Sequence, residues 1–102
     1  MAVDYMFHRF TFKPTSGIEQ SDQTTFSFPT TIRNVMPAVS GYSLGYTNDD
    51  HHVSRMKIET AVDINGNSVD LLIRTFLLRD ASGNIDDAYD GFVDMWLLVD
   101  RE

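Results

Sequence analysis

The 102 residues carry 15 acidic against 8 basic side chains, a formal charge of −7, and no cysteine. That balance repels phosphate backbones and anionic headgroups, and the basic residues are scattered, so nucleic acid and membrane surfaces are excluded as partners. Disulfides and thiolate metal sites are excluded outright, while 42% hydrophobic residues suffice for one core, which predicts a single domain over residues 1–102.

Met1 to Tyr5 shows no basic segment followed by an apolar one, so no signal peptide is expected. No apolar stretch is long enough to span a membrane, so the chain reads as soluble, with an extracellular or virion location left open. Tyr5 to Phe12 is aromatic-rich, with Met6, His8, Phe10 and Phe12 on one side of a first strand. Pro14 to Asp22 is polar and aperiodic and predicts a long loop, so residues 1–23 read as strand plus loop. Phe26 and Phe28 mark a short strand closed by Pro29. Val35 to Leu44 is a third strand, and Pro37 within it predicts an edge position or a strand start.

The clearest strand covers residues 53–63. Val53, Arg55, Lys57, Glu59 and Ala61 alternate with Met56, Ile58, Thr60 and Val62, which puts charge on one face and apolar groups on the other. A hairpin turn centred near Asn65-Gly66 follows. Val69 to Leu77 returns, apolar on both faces in its later half, so its far side is predicted to be covered. After the turn cluster Ala81-Ser82-Gly83-Asn84 and an acidic run holding Asp86, Asp87 and Asp90 comes a last strand, Phe92 to Val99. It places Val93, Met95, Leu97 and Val99 opposite Phe92, Asp94, Trp96 and Leu98. Two largely apolar faces predict a central or doubly covered strand in which a buried Asp94 needs a partner. Six or seven short strands without a helical period predict an all-β antiparallel sandwich, with a small barrel as the alternative.

Few residues suggest chemistry. His51-His52 follows Asn48-Asp49-Asp50, but neighbouring side chains on an extended chain point to opposite sides, which favours a solvated loop over a metal centre. Asp80, Ser82, Asn84, Asp86 and Asp87 alternate as in a calcium loop, yet the glycine is misplaced and no closing Glu follows. No metal or cofactor is therefore expected, with a calcium role for residues 80–90 left open. There is no Gly-x-Ser-x-Gly elbow, nothing pairs a base with Ser40 or Ser43, and Asp49 with Asp94 would need a cleft. An enzyme is not expected. Tyr42, Tyr46 and Tyr89 lie in or beside loops near amide, carboxylate or guanidinium groups, a combination that suits sugars as well as ordinary packing.

Phe26-Ser27-Phe28, the run Pro37 to Leu44, and a polar loop Gly45 to His52 leading into Arg55-Met56 occur in that order. The Asn65-Gly66-Asn67 hairpin, the strand Val69 to Phe76, and Tyr89 ahead of Asp94-Met95-Trp96-Leu97 follow. In this order and spacing, residues 26–99 resemble the H-type lectin domain, the module of snail and discoidin-type lectins. The resemblance implies a six-stranded antiparallel sandwich assembled as a homo-oligomer, a trimer or hexamer. It also implies binding of galactose or N-acetylgalactosamine-type carbohydrate between protomers. The site residues it implies are Tyr89, a cation from Arg74 or Arg55, and Asp49 or Asp50 accepting hydroxyl hydrogens. At the family's aromatic-His step this sequence reads Phe76-Leu77, and leucine donates no hydrogen bond. Similar domains occur in phage tail fibres, so a structural or receptor-binding component of a phage tail or virion, without sugar binding, is the alternative.

Overall fold

The computed structural model describes residues 2–47, 53–80 and 87–102, apart from the side chains of Ser54 and Asp80. Six strands follow one another: β1 (Ala2–Thr15), β2 (Gln20–Ser27), β3 (Ile32–Tyr46), β4 (Val53–Asn65), β5 (Ser68–Asp80) and β6 (Tyr89–Arg101). They form two antiparallel three-stranded sheets, ordered β1-β6-β3 and β2-β5-β4. The inward faces supply one shared core, with Phe10, Phe12, Val93, Met95, Leu97 and Val99 from the first sheet and Val69, Leu71, Ile73 and Phe76 from the second. This is the sandwich that period-two alternation predicts, not the small barrel. Among the described residues no helix is long and apolar enough to cross a membrane.

The central strands are the two most apolar segments of the sequence, β5 and β6, because a strand flanked on both sides has little water to meet. Pro37 lies on β3, an edge strand, where a missing N–H costs no ladder bond. Asp94 finds its partner across the sheet. Arg9 pairs with it in register and donates from Nε at 2.6 Å and Nη2 at 2.8 Å. That hydrogen bond holds the Asp94 carboxyl below the usual aspartate range.

Three expectations change in detail. The two-residue turn of the β4–β5 hairpin is Gly66-Asn67, flanked by the pair Asn65 and Ser68, one residue later than the pattern suggests. Gly66 has φ of 63°, a conformation that an L side chain resists. Pro14 to Asp22 is not a loop throughout, because β1 runs to Thr15 and β2 starts at Gln20. Pairing of Thr15 with Tyr89 and of Gln20 with Phe76 fixes the backbone there, while polar side chains remain on the outside. Strands are also long, not short. β1, β3, β4, β5 and β6 each have 13 to 15 residues. The molecule is accordingly a rod of 51 × 19 × 19 Å with a radius of gyration of 16.0 Å, against about 13 Å for a compact chain of this length.

One end of the rod is tied by polar contacts. Phe28 N donates to Asn67 O at 2.8 Å, Ile32 N to Gly66 O at 3.0 Å, and Asn67 Nδ2 to Phe28 O at 2.7 Å. Arg101 there bridges Asp4 at 2.6 Å and Thr30 at 2.9 Å.

Candidate functional site

The alternation of β5 breaks at Arg74. Thr60 and Asp22 both pair with Ile73, whereas Glu59 pairs with Thr75 and Gln20 with Phe76. Arg74 is thus an extra residue relative to both neighbours, a β-bulge in the middle of the second sheet. A bulge bends its strand and re-aims a side chain, which is why such irregularities gather at binding sites. Here it leaves Arg74 exposed on the outer face.

Beside the bulge lies an open groove of about 620 Å³, lined by Ser21, Asp22, Gln23, Leu72, Ile73 and Arg74. Gln23 pairs with Leu72 and shares its face, while Asp22 pairs with the inward-facing Ile73 at the β2 edge. Asp22 Oδ1 accepts from the Gln23 N–H at 2.8 Å, which ties the carboxylate to its own strand. Glu59 lies close enough for Arg74 to stabilise its negative charge. Its carboxyl sits below the usual range chiefly through a hydrogen bond from Lys57, 3.0 Å away, and a second from Thr75. The surface around the groove therefore holds both signs of fixed charge.

Arg74 is the one sequence-predicted site residue that borders this groove. Arg55 is exposed on β4 opposite Arg79. At about 3.3 Å per residue it lies roughly 13 Å along β4 from Glu59, so Arg55 and Arg74 do not converge. Asp49 and Asp50 lie outside the described residues, as do His51, His52 and the stretch 81–86 of the acidic loop. Among the described residues, no group of three or more His, Asp or Glu side chains is arranged to hold a metal ion.

No family model, curated protein or solved structure matches this chain.

Tyr89 does not line this groove. It is fully enclosed in the sandwich, and its hydroxyl lies within hydrogen-bond reach of the carbonyls of Ile18 and, at 3.1 Å, Phe76. Gln20 Nε2 donates to the Tyr89 carbonyl at 3.4 Å. Burial pushes the phenol above its usual range, so it stays a neutral donor. Tyr89 anchors β5, β6 and the 16–19 connection to one another. The residue looks like a loop tyrosine in sequence because the acidic run precedes it, yet β6 begins with it. Removing only its hydroxyl, as in Tyr89→Phe, leaves buried carbonyls short of a donor and is expected to cost about 1–3 kcal/mol in urea unfolding.

Ser21, Asp22 and Gln23 have no place among the sequence-derived site residues, since their stretch reads as loop. A signal for the groove was nevertheless present. Leu71 and Ile73 point inward at odd positions while Phe76 does so at an even one, stacking on Phe12 at 4.1 Å. A change of parity within one strand requires an inserted residue.

Proposed function

We propose that this chain is a carbohydrate-binding module that takes a galactose or N-acetylgalactosamine-type sugar in the groove beside Arg74 and works as a homo-oligomer. The observation that carries the reading is the bulge that sets Arg74 beside a groove lined also by Ser21, Asp22, Gln23 and Leu72. A pyranose has an apolar face and a rim of hydroxyls. Leu72 suits the face, Asp22 and Ser21 accept from hydroxyls, and Arg74 and Gln23 donate to ring and hydroxyl oxygens. The resemblance to H-type lectins supports the sugar class. The groove is shallow, so each site binds weakly; a Kd near 1 mM corresponds to about −4 kcal/mol and becomes useful through avidity in an oligomer.

Titration with galactose and N-acetylgalactosamine, followed by NMR of the 20–24 and 72–75 amides, tests this directly. Saturable shifts are expected in the parent, with at least a tenfold weaker response in Arg74→Ala, since hydrogen bonds to a charged donor contribute about 1.5–3 kcal/mol. Absence of shifts at tens of millimolar sugar, together with a blank glycan array, would end the lectin reading.

The second reading is a structural component of a phage tail or virion. It is favoured by the apolar outer face of the first sheet, which a sugar in the groove does not explain. On that reading the oligomer forms and no sugar binds.

A further inference from the structure

The two outer faces of the sandwich differ in kind. On the second sheet the outward residues include Arg55, Lys57, Glu59, Asp63, Asp70 and Arg74, an ordinary solvated surface. On the first sheet the outward positions of β1 are Val3, Tyr5 and Phe7. They pair across β6 with Asp100, Leu98 and Trp96, and Met36 and Ala38 of β3 complete the rows on the far side. Tyr5 is 71% exposed, Met36 62%, Val3 50%, Phe7 48% and Trp96 46%. Large apolar side chains clustered in this way on a flat face mark an interface rather than chance exposure.

We infer that this face packs against the same face of a second copy of the chain. The inference supplies the surface for the oligomer that the carbohydrate reading calls for, and it also stands if the protein proves purely structural. Three observations select a second copy as occupant. The first is charge. In a chain of net charge −7, like copies repel through most approaches, but this face is close to neutral. Its central charges, Arg9 and Asp94, neutralise each other, and the Arg9 guanidinium lies over the Phe92 ring at 3.9 Å. The second is layout. Asn34 and Asp100 lie at one end of the apolar rows and the Arg9–Asp94 pair closes them at mid-sheet, an apolar patch between polar borders. The third is size. Strands of 13 residues at about 3.3 Å each, three strands wide at about 4.8 Å, give roughly 600 Å² per chain, about half of it the apolar rows between Asp94 and Asp100; two whole faces together offer about 1,200 Å², the lower bound for a stable interface. Twisted sheets stack face to face at a shallow angle, so the geometry needs no rearrangement. A flat polysaccharide is the less suitable occupant. Stacking on sugar rings needs coplanar aromatics, whereas Phe7 and Trp96 are tilted by 55° at 5.3 Å, and Val3, Met36 and Leu98 offer sugars no hydrogen bond.

Trp96 is the single tryptophan and reports on the face without any mutation. Light scattering at 100 µM is expected to give a small integer multiple of 11.6 kDa, with Trp96 emission blue-shifted and protected from acrylamide. Tyr5→Glu and Met36→Glu are each expected to lower the mass toward one chain and to expose Trp96 to quencher, with the strand signature retained in circular dichroism. Ile64→Glu, an exposed apolar residue on β4, serves as the control and leaves the mass unchanged. A monomeric parent, or an oligomer with Trp96 as accessible as free indole, overturns the inference, as does a mass unmoved by both charge variants. Should both variants fail to fold, quenching of the parent decides alone. Retention on insoluble cellulose or chitin, lost in Trp96→Ala, assigns the face to polysaccharide instead. Sugar shifts at Arg74 are read separately, so a monomer that still binds galactose defeats the interface and spares the groove.

Discussion

Gly91→Ala is expected to cost at least about 4 kcal/mol, enough to leave much of a marginally stable domain unfolded at 25 °C. Gly91 lies in β6, the central strand of the first sheet, opposite Phe12 on one side and Leu44 on the other. Its φ of 150° is one that side-chain-bearing residues rarely adopt. A methyl group there would overlap the carbonyl oxygen of Ser43 and lie 2.6 Å from its carbon, and Leu44 Cα would be 3.1 Å away. These obstacles are backbone, so no rotamer change relieves them, and β3 would have to separate from β6. Glycine in a strand interior marks such close approach. Urea denaturation followed by circular dichroism measures the loss. A Gly91→Ala protein within 1 kcal/mol of the parent would show that β3 shifts freely on its neighbour.

Phe76→Ala is expected to cost about 3–5 kcal/mol. The ring is fully buried, stacks on Phe12 with 10° between planes, and lies 6.2 Å from the Tyr89 ring. Because Phe12 and Tyr89 come from the first sheet and Phe76 from the second, the loss falls on the contact between layers. A cavity in a rod only 19 Å thick has few neighbours able to collapse into it, which places the effect in the upper part of the range. Phe76→Leu should recover more than half of the loss, because most of the volume returns. Equal destabilisation by Leu and Ala would mean that ring stacking, not volume, dominates.

These two sites show how far the sequence can be read. Phe76 belongs to an apolar run whose burial follows from pattern, and Val93, Met95, Leu97 and Val99 share one face in the pattern, the face that the structure places in the core. The need for a partner at Asp94 was equally legible, though Arg9 as that partner, 85 residues away, was not. Gly91 carries no mark of its own beside Asp90 and Phe92. Its importance arises from the closeness of Ser43, a residue that only sheet pairing brings near. Tyr89 illustrates the opposite case: a polar tip beside an acidic run suggests exposure, while pairing with Thr15 and Tyr46 draws it inside.

Local alternation by itself determined that this chain is built from antiparallel strands, which residues share a strand face, and where the β4–β5 hairpin turns within one residue. Those properties depend on neighbours two positions apart, which a sequence states directly. Which strands lie side by side, that Arg74 is inserted between two aligned registers, and that one outer face is apolar while the other is charged were decided by the tertiary structure. They depend on residues tens of positions apart, and a strand's two faces look alike until its neighbours establish which one the core covers.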